Sequence, residues 1–91
     1  MTHAIVLIEA ERAAMPTLGG ALADLEGVAE AYSVTGEWDF VAMVHVARHE
    51  RLAEIVAHRI AKMPGIVRTQ TMVAFEAFSM HDLEALFDLG A

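Results

Sequence analysis

The chain contains the same pattern twice, and that repetition limits its possible folds more than any other feature. Ala4-Ile5-Val6-Leu7-Ile8 aligns with Ala42-Met43-Val44-His45-Val46, and Leu18 and Leu22 align with Val56 and Ile60. Leu25-Glu26-Gly27-Val28 then aligns with Met63-Pro64-Gly65-Ile66. Each half runs from a β-branched apolar stretch, through apolar positions at helical spacing, to a glycine and a second strand-like stretch. Each half is therefore a βαβ unit. Two such units joined by a short link give the split-βαβ, ferredoxin-like arrangement of the α+β class.

In detail, His3 to Glu9 reads as the first strand. Met15, Leu18, Leu22 and Leu25 mark a helix over Met15 to Leu25, with Pro16 in the first turn where its missing N–H costs nothing. Gly19-Gly20 costs that helix roughly 1 kcal/mol per glycine, so the pair signals either close packing on the sheet or a break. Val28 to Thr35 and Phe40 to Ala47 read as an antiparallel hairpin. Leu52, Ile55, Val56, Ile60 and Met63 mark a second amphipathic helix, starting near Arg48 or His49 and stopped by Pro64-Gly65. Ile66 to Phe75 is the fourth strand, with Phe78 as its outer limit. Ser79-Met80-His81-Asp82 resembles an N-cap with an acidic residue three positions on, opening a short helix with Leu83, Leu86, Phe87 and Leu89. The expected organisation is one domain over residues 1–78 and a helical extension over 79–91.

Right-handed crossovers place both helices on one face of the sheet and leave the other bare. In the fourth strand, neither Val67, Thr69, Thr71, Val73 and Phe75 nor Ile66, Arg68, Gln70, Met72 and Ala74 is charged enough for a solvated sheet surface. A chain of 91 residues that is 56% hydrophobic has little interior in which to hide such a face. Covering it with a second subunit, sheet against sheet, is the natural outlet.

Several classes of function are excluded or disfavoured. The unbroken apolar runs, Ala4–Ile8 and Phe40–Val44, fall far short of the ~20 residues that a spanning helix needs, and Met1-Thr2-His3 has no basic region of a secretory signal. A cytoplasmic protein is expected. With no cysteine, disulfides, thiolate zinc sites and thiol catalysis are ruled out. A net charge of −7 with six scattered basic residues argues against direct binding of nucleic acid.

Two features could carry chemistry. The link Thr35-Gly36-Glu37-Trp38-Asp39 places a residue free to take positive φ between two strands, followed by an aromatic and a carboxylate. It is either a simple turn, with Asp39 bonding local backbone, or a site whose exposed N–H groups hold a ligand carboxylate while Asp39 or nearby carbonyls hold an amine. Thr69 and Thr71 lie two apart, so their hydroxyls share a face. They are ordinary strand formers, or polar contacts for a small zwitterion. His45 and His49 are four apart but fall on a strand and a helix start, which spoils i, i+4 ligand geometry; no metal or cofactor is expected. His45 should face opposite to Val44 and Val46.

Tyr32-Ser33-Val34-Thr35-Gly36-Glu37-Trp38-Asp39-Phe40 and Met63-Pro64-Gly65-Ile66-Val67-Arg68-Thr69-Gln70-Thr71-Met72-Val73 together resemble the effector-binding (RAM) domain of Lrp/AsnC transcriptional regulators. The pieces are a V-T-G-x-x-D turn, an L/M-P-G-V/I helix end and a T-x-T strand, in order, over roughly His3 to Phe78. The resemblance implies dimers formed through the sheets, further assembly into rings, and amino-acid effectors held at contacts between dimers. It implies Gly36, Asp39, Thr69 and Thr71 as ligand contacts, with Trp38 in the variable part of the turn shaping selectivity. It also implies a stand-alone version of the domain without its own helix-turn-helix, working with full-length regulators of the family.

Two functions follow. One is non-catalytic sensing of an amino acid between subunits, changing assembly or pairing with a regulator. The other is a small dimeric α/β-barrel enzyme, a cofactor-free monooxygenase or isomerase, which would need an enclosed pocket with His45, Tyr32 or Glu76 poised inside. No acid–base constellation emerges from the sequence, and sensing is the stronger expectation.

Overall fold

Alternating burial organises the two central strands. In β1 (Thr2–Ala10), Ala4, Val6 and Ile8 are fully buried, and in β3 (Phe40–Val46), Phe40, Ala42, Val44 and Val46 are buried in the same every-second-residue rhythm. The computed structural model, which describes residues 1–78, completes the sheet with β2 (Val28–Ser33) and β4 (Ile66–Ala74). The strand order is β2-β3-β1-β4 and every pairing is antiparallel. This is the ferredoxin-like βαββαβ fold expected from the repeat. The terminal helix expected over 79–91 lies outside the described residues.

The helices supply the other half of the core. The first, α1 (Met15–Ala23), follows a 3-10 turn at Arg12–Ala14 and buries Leu18 and Leu22. The second begins as α2 (His49–Ala53), buries Leu52, and continues as a π-helical segment, Glu54–Ile60, that buries Ile55 and Ile60. Together with the inward residues of β1 and β3 these form one cluster. The glycines that align in the repeat behave alike: Gly27 and Gly65 have φ of 94° and 93°. A Cβ at Gly27 would strike Ile55, and one at Gly65 would strike Ala14, so both the backbone conformation and the close approach require glycine there.

Four local expectations are corrected. The first helix ends at Ala23, not Leu25, because Asp24 N–H bonds to Gly20 O while Leu25 N–H reaches Leu22 O, tightening the exit toward Gly27. It does not break at Gly19-Gly20. Gly19 lets the helix approach closely, since a Cβ there would lie 3.2 Å from the Phe40 ring, whereas Gly20 faces open space. The second helix is not regular: its buried Ile55 and Ile60 are five apart, and Ala61 N–H bonds to Val56 O across the same interval at 3.0 Å, the π-helical pattern. The strands β2 and β4 end early, at Ser33 and Ala74. In β4 a register shift opposite Glu9 and Ala10 pairs Ile66 with Ala10 and Arg68 with Glu9. This bulge moves Ile66 to the helix side, where it packs on the core.

Cross-strand pairing sorts the remaining sheet residues by face. Opposite the helices lie Ile5 with Met43 and Met72, Leu7 with Val41 and Gln70, Tyr32 beside Val41, and the pairs His3–His45 and Glu9–Arg68. The centre of that face is apolar and its ends are polar. On the helix side of β4, Thr69, Thr71 and Val73 pair with Ile8, Val6 and Ala4, yet Val73 remains 43% exposed because the helix layer stops short of the edge strand.

The buried position with the clearest consequence is Ile55, which is fully enclosed and abuts Gly27. Ile55→Ala should lower unfolding free energy by about 2–5 kcal/mol, read from the midpoint of urea unfolding at unchanged slope. An unshifted midpoint would mean that the π-helical segment does not pack on the sheet.

Candidate functional site

The turn between β2 and β3 is closed by Val34 N–H donating to Asp39 O at 3.0 Å. Gly36 has φ of 105° and a Cβ there would meet nothing within 4 Å. Its glycine therefore serves the backbone and not a packing constraint. Asp39 ties the turn to the end of β1. Its N–H donates to Ile8 O at 2.9 Å, and its carboxylate Oδ2 accepts from Ala10 N–H at 2.8 Å. The simple-turn reading expected a bond to local backbone, but the partner lies on another strand. Ala10 sits at the bulge, where the ladder leaves its N–H without a regular partner, and the carboxylate fills that gap.

From this anchored base the turn leans across the end of β1 toward β4. The Arg68 guanidinium lies 4.3 Å from the centroid of the half-buried Trp38 ring, within cation–π range. Its Nε donates to Glu9 at 2.6 Å and its Nη2 to Glu37 at 3.1 Å. The hydrogen bonds to Glu9 and then Glu37 hold the Arg68 pKa above its already high ordinary value. Arg68, Glu9 and Glu37 are the residues that sequence reasoning passed over. A signal existed: Arg68 is the only charged residue within Ile66–Ala74.

The sequence-derived candidates thus fall in two places. Gly36, Trp38 and Asp39 share the turn. Thr69, half-buried, and Thr71, exposed, stand on the helix side of β4, whereas Arg68, through which the turn meets β4, is on the opposite face. Thr69 and Asp39 flank Ile8 from either side, about 10 Å apart by two strand spacings. Thr71 and Val73 form one wall of a groove of about 330 Å³ whose other wall is α2 and the π-helical segment, through Leu52, Ala53, Val56 and Ala57.

The residues considered for catalysis are dispersed. His45 faces away from Val44 and Val46, as expected, and stacks on His3 with ring centroids 4.2 Å apart. The Tyr32 hydroxyl donates to the Glu30 carboxylate, and that bond raises its pKa above the ordinary tyrosine value. Glu76 lines a small hollow beside His3. His45 also lines a hollow of about 390 Å³ with Glu26, Gly27 and Arg48, to which Tyr32 does not contribute. No cluster of three or more potential metal ligands occurs among the described residues, and no helix among them is long and apolar enough to cross a membrane.

The four-stranded ferredoxin-like sheet with helices on one face defines the class of fold, and the comparisons with known proteins specify the family. The model of the Lrp/AsnC ligand binding domain matches residues 3–84, and the chain belongs to that family. An uncharacterized HTH-type transcriptional regulator of Pyrococcus furiosus is 37% identical over 54 residues, 59% of this chain and 36% of the regulator. The chain spans little more than a third of the length of the curated relatives it matches. The crystal structure of TTHA0845 from Thermus thermophilus matches with a TM-score of 0.81 and 42% identity, covering 87% of this chain and 99% of that one. A Neisseria meningitidis transcriptional regulator solved as a complex with L-Met shares the fold, with a TM-score of 0.76 at 12% identity over 86% of this chain and 52% of that one.

The Asp39 carboxylate can be tested apart from any ligand. Asp39→Ala should cost about 1–3 kcal/mol, because the Ala10 N–H is left without its acceptor. The same change should speed hydrogen exchange at the Ala10 amide. Asp39→Asn keeps an acceptor oxygen and should retain most of the stability; equal losses in both variants would show that charge, and not the hydrogen bond, is what matters.

Proposed function

We propose that this domain senses an amino acid without catalysing a reaction, and that it does so at a contact between copies of itself. The observation that carries the reading is the separation of the candidate contacts. Within one subunit the turn residues Gly36, Trp38 and Asp39 and the hydroxyls of Thr69 and Thr71 are on different parts of the sheet. An α-amino acid holds its ammonium and carboxylate only a few ångströms apart and cannot bridge them alone. A neighbouring subunit supplies the missing half. Exposed N–H groups around Gly36 suit the carboxylate, the oxygens of Asp39 suit the ammonium, and Trp38, in the same turn, is the residue that would shape selectivity among side chains.

The apolar centre of the open face, with Ile5, Leu7, Val41, Met43 and Met72, supports sheet-to-sheet dimers as the building block. Contacts between dimers, assembling into rings, then bring turns and β4 strands of different subunits together. Membership of the Lrp/AsnC ligand-binding family supports a role in regulating transcription, and the regulator solved with L-Met supports an amino acid as the effector class. The net charge of −7 favours action through full-length regulators of the family and not through direct DNA contact. Effector binding would shift either self-assembly or that pairing.

A screen of the common amino acids by thermal shift should find at least one that raises the melting temperature at millimolar concentration, since binding to the native state stabilises it by mass action. No shift with any of them would sink the sensing reading. Separately, light scattering at micromolar concentration should give a mass above the 9.9 kDa of one chain; a strictly monomeric species would refute the shared site.

A further inference from the structure

We infer that Arg68 is the positioning residue of the candidate site, a latch that holds the turn against β4 and fixes the pose of the half of the site that the turn contributes. The inference deepens the reading of Gly36–Asp39 and Thr69–Thr71 as one ligand site and rests on that reading for its functional half. Its structural half stands on the geometry alone. Arg68 touches the turn twice, through the Glu37 carboxylate and the Trp38 ring, and touches β1 once, through Glu9. Its own backbone lies in β4 between the bulge and Thr69. One side chain therefore joins the turn, the end of β1 and the ligand-type strand.

No other side chain in this region makes that connection among the described residues. Asp39 anchors the base of the turn to β1 through Ala10 but does not reach β4. Without Arg68 the tip of the turn, Gly36-Glu37-Trp38, would lose its side-chain tie to β4 and depend on the hydrogen bonds at the base of the turn. The guanidinium suits this task because its planar fork can serve two carboxylates at its edges while its face lies on an aromatic ring. A lysine has the charge but neither the fork nor the stacking face.

The chain's single tryptophan is part of the latch, so the turn reports on itself. In Arg68→Ala the emission of Trp38 should shift to the red and its quenching by acrylamide should rise in the ligand-free protein, with the melting temperature lowered only slightly. High salt should move wild-type fluorescence in the same direction, because the exposed pairs are screened. Amino-acid affinity in Arg68→Ala should fall roughly three- to tenfold, the combined worth of an exposed charge network and a cation–π contact. Arg68→Lys should recover little of it. Glu37→Ala, on the exposed turn, removes one of the three contacts without touching the strands and should give a smaller change in the same sense.

Unchanged Trp38 quenching in Arg68→Ala overturns the latch. Increased quenching with unchanged affinity overturns its positioning role, and so does full recovery by lysine. A wild-type protein that binds no amino acid overturns the shared site, whereas the fluorescence decides the latch by itself.

Discussion

The packing of a single helix layer on one face of a four-stranded sheet is the constraint on which the rest depends. The central strands β1 and β3 bury Ala4, Val6, Ile8, Ala42 and Val44 completely on that face, and α1 and the second helix have nowhere else to put Leu18, Leu22, Leu52, Ile55 and Ile60. Once the layer is filled, two surfaces remain uncovered among the described residues: the apolar centre of the opposite face, and the outer edge along β4 that the helices do not reach. The exposure of Thr71 and Val73 on the helix side of β4 follows from that shortfall.

Much of this architecture was legible because apolar runs and periodicity are local signals. The β-branched apolar runs Ala4–Ile8 and Phe40–Val44 marked two strands, although their alternating burial emerges only in the structure. The aligned Gly27 and Gly65 marked where each helix returns to the sheet. The departures arose where tertiary contact overrides local preference. Helical spacing was read through Ile55, Val56 and Ile60 as α, but the demand that both Ile55 and Ile60 reach the core widened the coil to a π-helix. The bulge opposite Glu9 and Ala10 moved Ile66 to the face opposite that given by simple alternation, a one-residue slip that no period-two pattern can anticipate.

The site was legible in its residue types and less so in its connections. The turn and the Thr69–Thr71 pair stood out as motifs, each made of residues adjacent or nearly adjacent in the chain. The sequence could not show that Asp39 spends one oxygen on Ala10, because that bond spans the gap between β1 and the turn. Nor could it show that Glu9, Glu37 and Arg68 meet, since they come from three separate segments. A lone charge inside an otherwise uncharged strand was the one available hint, and it gains meaning only when the register places Glu9 opposite.

The duplicated βαβ unit has one more consequence, concerning symmetry. Exchanging β1 with β3 and β2 with β4 turns the order β2-β3-β1-β4 into its own reverse, so the sheet has an approximate internal two-fold axis between its central strands. The turn from Val34 to Asp39 joins the two repeats. Its counterpart after β4 is the stretch beginning at Phe75, which is fully exposed among the described residues. Among the described residues the two ends of the sheet are thus alike in construction and unlike in equipment. The candidate site sits where the pseudo-symmetry is broken, and that asymmetry gives an otherwise reversible module a head and a tail.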